Sequence, residues 1–446
     1  MAENKLVRKM TFWHIWAIGV GSVVGDGIFV LIAQGAQAGG PGSVLAYAVG
    51  GILMMIIMVA ISSLAVGMPS AGSLHTWSAR ILGPSYGTVS GLSYTAMNVI
   101  FLGSVAIANG AVSNYFFQWT ENSALSAAIW AVILVTIVAL VALKGGEFTG
   151  RAQFILVAVL TFIMVIFAIF GAASGKIDTA NYKPFMPFGL MGFWAALGMG
   201  IYAYMGPLSL LTAGSEVKHI TDLPKAMIWS FVTFLIMYSA AMLVMLGLVP
   251  FTEYASLESP FTVAAKFAFG GAAGIVMNLA AWIAAFTCLV GETFAASRLL
   301  FGMAEEGVVP KTFSKLNKNN VPSNGIIFSW AIAIVLILIG NISVLESFYL
   351  KLAMVACELG ATSWIISLVA SYQYPRKFPE EWKALPWHMP VRKVTLPVAF
   401  AGWAVIMFAL YQSDPGSMIY FLVSLVVLII VYNAYSKKHL KLNIPD

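Results

Sequence analysis

Hydrophobic runs long enough to cross a lipid bilayer follow one another from residue 12 almost to the C-terminus, and no other feature narrows the fold so far. A bilayer core of about 30 Å needs about 20 apolar residues in helical form. Twelve such runs are predicted, near residues 12–33, 43–66, 86–113, 124–143, 153–172, 191–215, 226–249, 274–300, 325–340, 348–371, 395–411 and 417–435. Of the 446 residues, 60% are hydrophobic and 9% charged, and the mean hydropathy is +0.89. That balance leaves a soluble globule too little polar surface to cover itself. Within lipid every backbone polar group has to be satisfied internally, and without alternating strand patterns this leaves a helical bundle. The expected class is an all-α integral membrane protein with 12 transmembrane helices.

The placement of charge suggests an orientation. The formal net charge is +6, but the basic residues sit in alternate loops and form no single patch, so no nucleic-acid partner is expected. With the N-terminus in the cytoplasm, about 20 of the 24 Lys and Arg fall in cytoplasmic segments and about 3 outside, as the positive-inside rule favours. Lys351 stays unassigned. The expected location is the cell membrane, multi-pass, with the tails 1–11 and 436–446 both cytoplasmic and too short for separate domains. Lys5, Arg8 and Lys9 resemble the start of a signal peptide, but the run that follows is too long and lacks a small-residue cleavage site, so it reads as a retained span. Cys288 and Cys357 lie in hydrophobic runs and read as buried filler rather than a disulfide.

Two spans carry interruptions. GVGSVVGDG, residues 19–27, holds four glycines, each lowering helix stability by about 1 kcal/mol relative to alanine. AYMGPLSLL, residues 203–211, contains Pro207, which removes a backbone donor and clashes with the preceding turn. Either break alone also fits close helix packing or a simple kink. Their matching positions, with five spans before the 173–190 loop and five after it, point to an inverted-repeat transporter with its site at the midplane. The halves are then 12–172 and 191–371, with two further helices in 395–435. GVGSVVG is not a dinucleotide fingerprint, because its glycine spacing is wrong and no βαβ unit surrounds it. No HExxH motif occurs and Asp26 is the one deep aspartate, so neither an enzyme nor a metal or other cofactor is expected.

Three carboxylates lie well inside spans: Asp26, Glu292 and Glu358. Each costs about 2.5–3.5 kcal/mol on insertion scales, which makes it a functional candidate by default. No Lys or Arg lies comparably deep, so a proton, water or a cationic ligand has to compensate the charge. Other readings stay open: Asp26 as a cap on the resumed half of the first helix, Glu292 as a protonated wall residue or proton carrier, Glu358 as a hydrogen-bonding partner across helices. Glu216, with Lys218 close by, reads as structural, and His75 as a loop residue.

Four stretches carry a family resemblance: GVGSVVGDGIF (19–29), PSAGSLHTWSARILGP (69–84), SEVKHITDLPKAM (215–227) and SRLLFGMAEEGVVPKTFSKLNKNNVP (297–322). They resemble the amino acid, polyamine and organocation permeases, above all the arginine/agmatine and putrescine exchangers. The resemblance implies a LeuT-type fold, a 5+5 inverted repeat plus two C-terminal helices, working by alternating access. In those permeases the break of the first helix offers N–H groups to a substrate carboxylate, and the position of Asp26 is usually small and uncharged. An aspartate there repels a carboxylate by about 1–4 kcal/mol at about 4 Å. Glu292 matches a pocket-lining tryptophan of the exchangers, and Tyr94, Asn98, Tyr202 and Tyr204 match positions near their substrate. The implied substrate site is Ser22, Gly25, Asp26, Gly27, Tyr94, Asn98, Tyr202, Tyr204, Gly206, Glu292 and Glu358. Leu208 stands where acid-resistance antiporters carry a pH-sensing acid, and about Leu160 stands where some proton-coupled relatives carry a lysine. The expected function is exchange of small cationic amines such as agmatine and putrescine. The alternative is an amino acid exchanger or proton-coupled symporter in which Asp26 reads the amine or carries a proton. The expected partners are that small molecule and the lipid bilayer, with a homodimer left open.

Overall fold

The computed structural model of the chain describes residues 6, 8–254, 259–342 and 345–440, the side chains of 342 and 345–347 apart. The described residues are helical throughout and contain no strand, only an isolated bridge between Met10 and Val217. The first half runs through α1 (Phe12–Val23), α2 (Asp26–Phe29), α3 (Leu31–Gly39), α4 (Ser43–Gly67), α5 (Leu74–Leu82), α6 (Pro84–Ser113), α7 (Ser123–Ala142) and α8 (Gly146–Ala173). The second runs through α9 (Gly189–Ala203), a 3-10 stretch Pro207–Ser215, α10 (Asp222–Leu248), α11 (Pro260–Phe269), α12 (Gly271–Glu305), α13 (Ser323–Ile342) and α14 (Leu345–Lys377). A short α15 (Pro379–Lys383) leads to α16 (Arg392–Ser413) and α17 (Ser417–Val431).

Among the described residues, 11 helical stretches are long and apolar enough to cross a membrane, with Leu31–Gly67 taken as one. That stretch turns at a 3-10 segment Gly40–Gly42, where Gly40 has φ 61°. Phe12–Val23 is shorter, at 12 residues, because the glycine-rich break ends it.

The layering is that of a protein solvated by lipid. Over the most apolar 18 residues of each stretch, 94% are buried in Gly189–Ser215 and 83% in α6, against 28% in α8 and 11% in the final stretch Ser417–His439. Ile155, Phe162 and Ile169 of α8 stand exposed at seven-residue spacing, the stripe expected where a helix faces hydrocarbon. Inside this ring α6 packs on α12 and α14, and α1 on α8, α10 and α12. The two interrupted stretches therefore lie at the centre.

Several short helices were not foreseen, α5 and α11 the longest of them. α5 lies in what reads as a connection, and α11 lies between the seventh and eighth predicted spans; at 9 and 10 residues both are too short to cross a bilayer. His75 sits on α5, fully buried, not in a loop, with its Nε2 2.9 Å from Glu306 Oε2.

Candidate substrate site

The breaks arise as the sequence suggests. α1 ends with Val24 N–H donating to Val20 C=O at 2.9 Å; Gly25 departs from helical geometry, and α2 resumes with Val30 N–H on Asp26 C=O at 2.7 Å. In the sixth predicted span, Tyr204 and Met205 close on Ile201 and Tyr202 in tight turns, Gly206 takes φ 100°, and Pro207 opens the 3-10 stretch. Only glycine adopts that φ without strain. A Cβ at Gly206 would run into Ser22 C=O and stand 2.6 Å from Glu292 Oε1. A Cβ at Gly27 would lie 2.6 Å from Ala203 Cα, so the two broken helices meet backbone to backbone.

Asp26 sits in this contact, 2% exposed. Tyr202 of α9 donates to its Oδ2 at 2.8 Å and Tyr349 of α14 to the same oxygen at 2.6 Å. The backbone N–H groups of Asp26 and Gly27 face the carboxylate as well. Ser104 lies 3.3 Å from the Tyr202 hydroxyl, and Phe101 stacks on its ring at 4.8 Å. Asp26 thus joins three elements, and the two tyrosines with its local N–H groups leave it well supplied with donors.

Glu292 is different. It is fully buried on α12, and neither carboxylate oxygen has a hydrogen-bond partner among the described residues. Its surroundings are Gly206, the Tyr94 hydroxyl and Cys288 one turn earlier on its own helix. Cys288 Sγ donates to Ser22 C=O at 3.4 Å and packs where a Cβ on Gly25 would go. Ser22 Oγ donates to Ile18 C=O and receives Ser209 Oγ at 2.6 Å, which ties α1 to the stretch after Pro207.

Other buried polar atoms are also unmatched, among them the Tyr94 hydroxyl, which faces Glu292 beside the Met205–Gly206 turn, Asn98 Oδ1 one turn further along α6, and Trp364 Nε1; Asn98 Nδ2 turns back to Tyr94 C=O at 2.5 Å. Met97, Met205 and Trp364 converge on Gly360, which brings Trp364 to this turn. Buried polar groups without partners are rare in folded proteins and mark places where water or a ligand belongs.

Two predicted members lie elsewhere. Tyr204 packs against Phe234 and Tyr238 with centroids 5.6 and 5.2 Å away, over Gly51 of α4. Glu358 stands nine positions beyond Tyr349 on α14, about half a turn round at about 100° per residue. There it accepts from Ser417 of α17 at 2.8 Å. Sequence reading missed Tyr349, Trp364 and Tyr238, whose hydroxyl donates to Val23 C=O at 3.2 Å and Ala203 C=O at 3.4 Å across both breaks. A polar-tipped aromatic in an apolar run was the only available signal.

Asp26 and Glu292 are both buried. A cavity of about 460 Å³ lies among Lys9, Lys144, Arg151, Glu216 and Lys318, past the C-terminal end of α12. One of about 380 Å³ lies among Asn114, Tyr115, Lys266 and Asn278, near its start. Neither is lined by Asp26 or Glu292. Beside the first, Glu216 pairs with Arg298 at 2.8 Å, both nearly buried, rather than with Lys218. Among the described residues no group of three or more His, Cys, Asp or Glu forms a metal site.

A bundle ringed by lipid-facing helices, with two broken helices meeting at an enclosed polar centre, defines a multi-pass membrane transporter. The family model "Amino acid permease" matches residues 14–445, and the chain belongs to that family. It is 30% identical to the "Uncharacterized amino acid permease YtnA" of Bacillus subtilis (strain 168), over 92% of this chain and 91% of that protein. It is 27% identical to the branched-chain amino acid permease BcaP of Lactococcus lactis subsp. cremoris (strain MG1363), covering 99% and 97%. It is also 25% identical to the gamma-aminobutyric acid permease of Bacillus subtilis (strain 168), covering 91% and 89%.

Proposed function

We propose that the chain is a secondary transporter of amino acids, holding its substrate at the Met205–Gly206 turn and working by alternating access. The supporting observation is the mixed character of four unmatched buried groups on α6, α12 and α14. Tyr94 O–H and Trp364 N–H are donors, suited to a carboxylate; Glu292 and Asn98 Oδ1 are acceptors, suited to an ammonium group. A diamine meets only the acceptors. The diamine reading also wants a bare Asp26, whereas tyrosines hold this carboxylate. The relatives' names, branched-chain and γ-amino acid permeases, favour the same cargo class.

In this reading α1 to α3 form one broken crossing and α9 with Pro207–Ser215 another. The chain then makes twelve crossings, five and five in inverted halves plus α16 and α17, with both termini cytoplasmic. Ser22, Gly25, Gly27 and Gly206 shape the hinge, Asp26 with Tyr202 and Tyr349 latches it, and Glu292, Tyr94, Asn98 and Trp364 contact substrate. Tyr204 acts through packing, and Glu358 stays outside the cradle.

Competition decides between cargo classes. Uptake of labelled leucine and γ-aminobutyrate into proteoliposomes is measured against their decarboxylated or diamine counterparts, isoamylamine and putrescine. The amino acids are expected to compete at least tenfold better. Stronger competition by the amines returns the assignment to cationic amines.

A further inference from the structure

Glu292 combines three properties found together in no other described carboxylate. It is fully buried, both oxygens are without partners, and it touches the turn of a broken helix. The ionisable groups facing it are Tyr94 from α6 and Cys288 on α12, with Asp26 beyond Cys288. None supplies positive charge. Arg298, on the same helix, is bound to Glu216. A carboxylate charge in such a place needs a cation or a proton on it.

We infer that Glu292 is a single seat shared by a proton and the substrate's ammonium group, so that each substrate molecule moved one way is matched by one proton moved the other way. This rests on the amino acid reading of the site and deepens it with a coupling ion. On the side where the site opens, the carboxylic acid meets the ammonium group, the ion pair forms and the proton leaves to water on that side. After the site closes and reopens, the substrate departs and the carboxylate takes a proton from the second side. The neutral acid then crosses back. Nothing is oxidised or reduced, and one proton has travelled opposite to one substrate. An empty site that kept the bare carboxylate would have to close around an uncompensated charge, and this makes the return proton-dependent.

Asp26 differs in its partners: two tyrosine hydroxyls and its local N–H groups already supply hydrogen bonds to its carboxylate, whereas Glu292 has none among the described residues.

The test uses the purified full chain in phosphatidylcholine vesicles with a pH dye trapped inside and the membrane potential clamped. Labelled leucine, alanine, γ-aminobutyrate and putrescine are the probes, and each is first assayed for counterflow. With a probe that shows counterflow, adding it outside should make the lumen more alkaline, by one proton for each molecule taken up. Acidification of the lumen, or no pH change while counterflow continues, overturns the shared seat and leaves the permease reading intact. Absence of counterflow with all three amino acids overturns the permease reading itself. In Glu292→Gln the pH signal should vanish and KM should rise at least tenfold; an unchanged pH signal also overturns the inference. If that variant does not fold, the sign of the wild-type signal still decides.

Discussion

The Asp26 carboxylate accepts from tyrosines on two helices, so each hydroxyl can be removed without emptying the site. Hydrogen bonds to charged groups contribute about 1.5–3 kcal/mol. Tyr349→Phe, which loses the shorter bond at 2.6 Å, should lower thermal stability by about that amount. Tyr202→Phe should cost a similar amount, because its bond is longer at 2.8 Å but the Ser104 contact at 3.3 Å is lost with it. Equal stability of both variants with wild type, measured by thermal unfolding in detergent, would show that the latch carries no energy. Glu306 gives a pH-dependent counterpart. Burial pushes its carboxyl up, but the bond and charge of His75 and the Thr76 hydroxyl outweigh this and hold it below its ordinary value. A depressed carboxylate stabilises the fold above its unfolded pKa and loses that contribution as pH falls through the folded value. The stability gap between wild type and Glu306→Gln should therefore be present at neutral pH and shrink below about pH 4.3; a constant gap contradicts it. Asp26 and Glu292 were legible in the sequence because ionisable groups stand out in apolar runs. Tyr349 and Trp364 were not, since aromatics there look like packing until a neighbour is known.

At the scale of elements, the broken helices are the parts most sensitive to small changes. Gly206→Ala puts a side chain at φ 100° and into Ser22 C=O, and the backbone strain alone costs about 1–2 kcal/mol. Transport should fall far more than stability does, since α1 and the 3-10 stretch are forced apart. Uptake at wild-type rate would mean the hinge contact is dispensable. The pair Glu216–Arg298 ties the stretch after Pro207 to α12, and Met10–Val217 adds the N-terminal segment. Removing one partner with Arg298→Met should cost about 3–5 kcal/mol, and adding Glu216→Leu should restore much of it, as is usual for buried pairs. Thermal unfolding of the single and double variants reads this directly, and a double variant no more stable than the single refutes it. Both breaks were readable from glycine and proline. α5 and α11 were not, because at 9 and 10 residues they are too short for a span-length search to find.

For the whole molecule, hydropathy foretold a lipid-solvated helical bundle, and four motifs foretold its family. Cargo was less legible. Counting buried acids suggested a dication, but charge count says nothing about which acid is already satisfied, and that depends on Tyr202 and Tyr349 arriving from elements far apart in sequence. Asp26 and Glu292 lie buried and line neither of the two cavities near the ends of α12, an arrangement that the proposed carrier cycle needs between its open states. Counterflow tests this most directly: vesicles holding the purified chain are loaded with unlabelled leucine or γ-aminobutyrate and given the same compound, labelled, outside. The account predicts transient accumulation that saturates and needs the internal load, with isoamylamine or putrescine a poor replacement. Uptake indifferent to the internal load, or supported only by the amines, would contradict it.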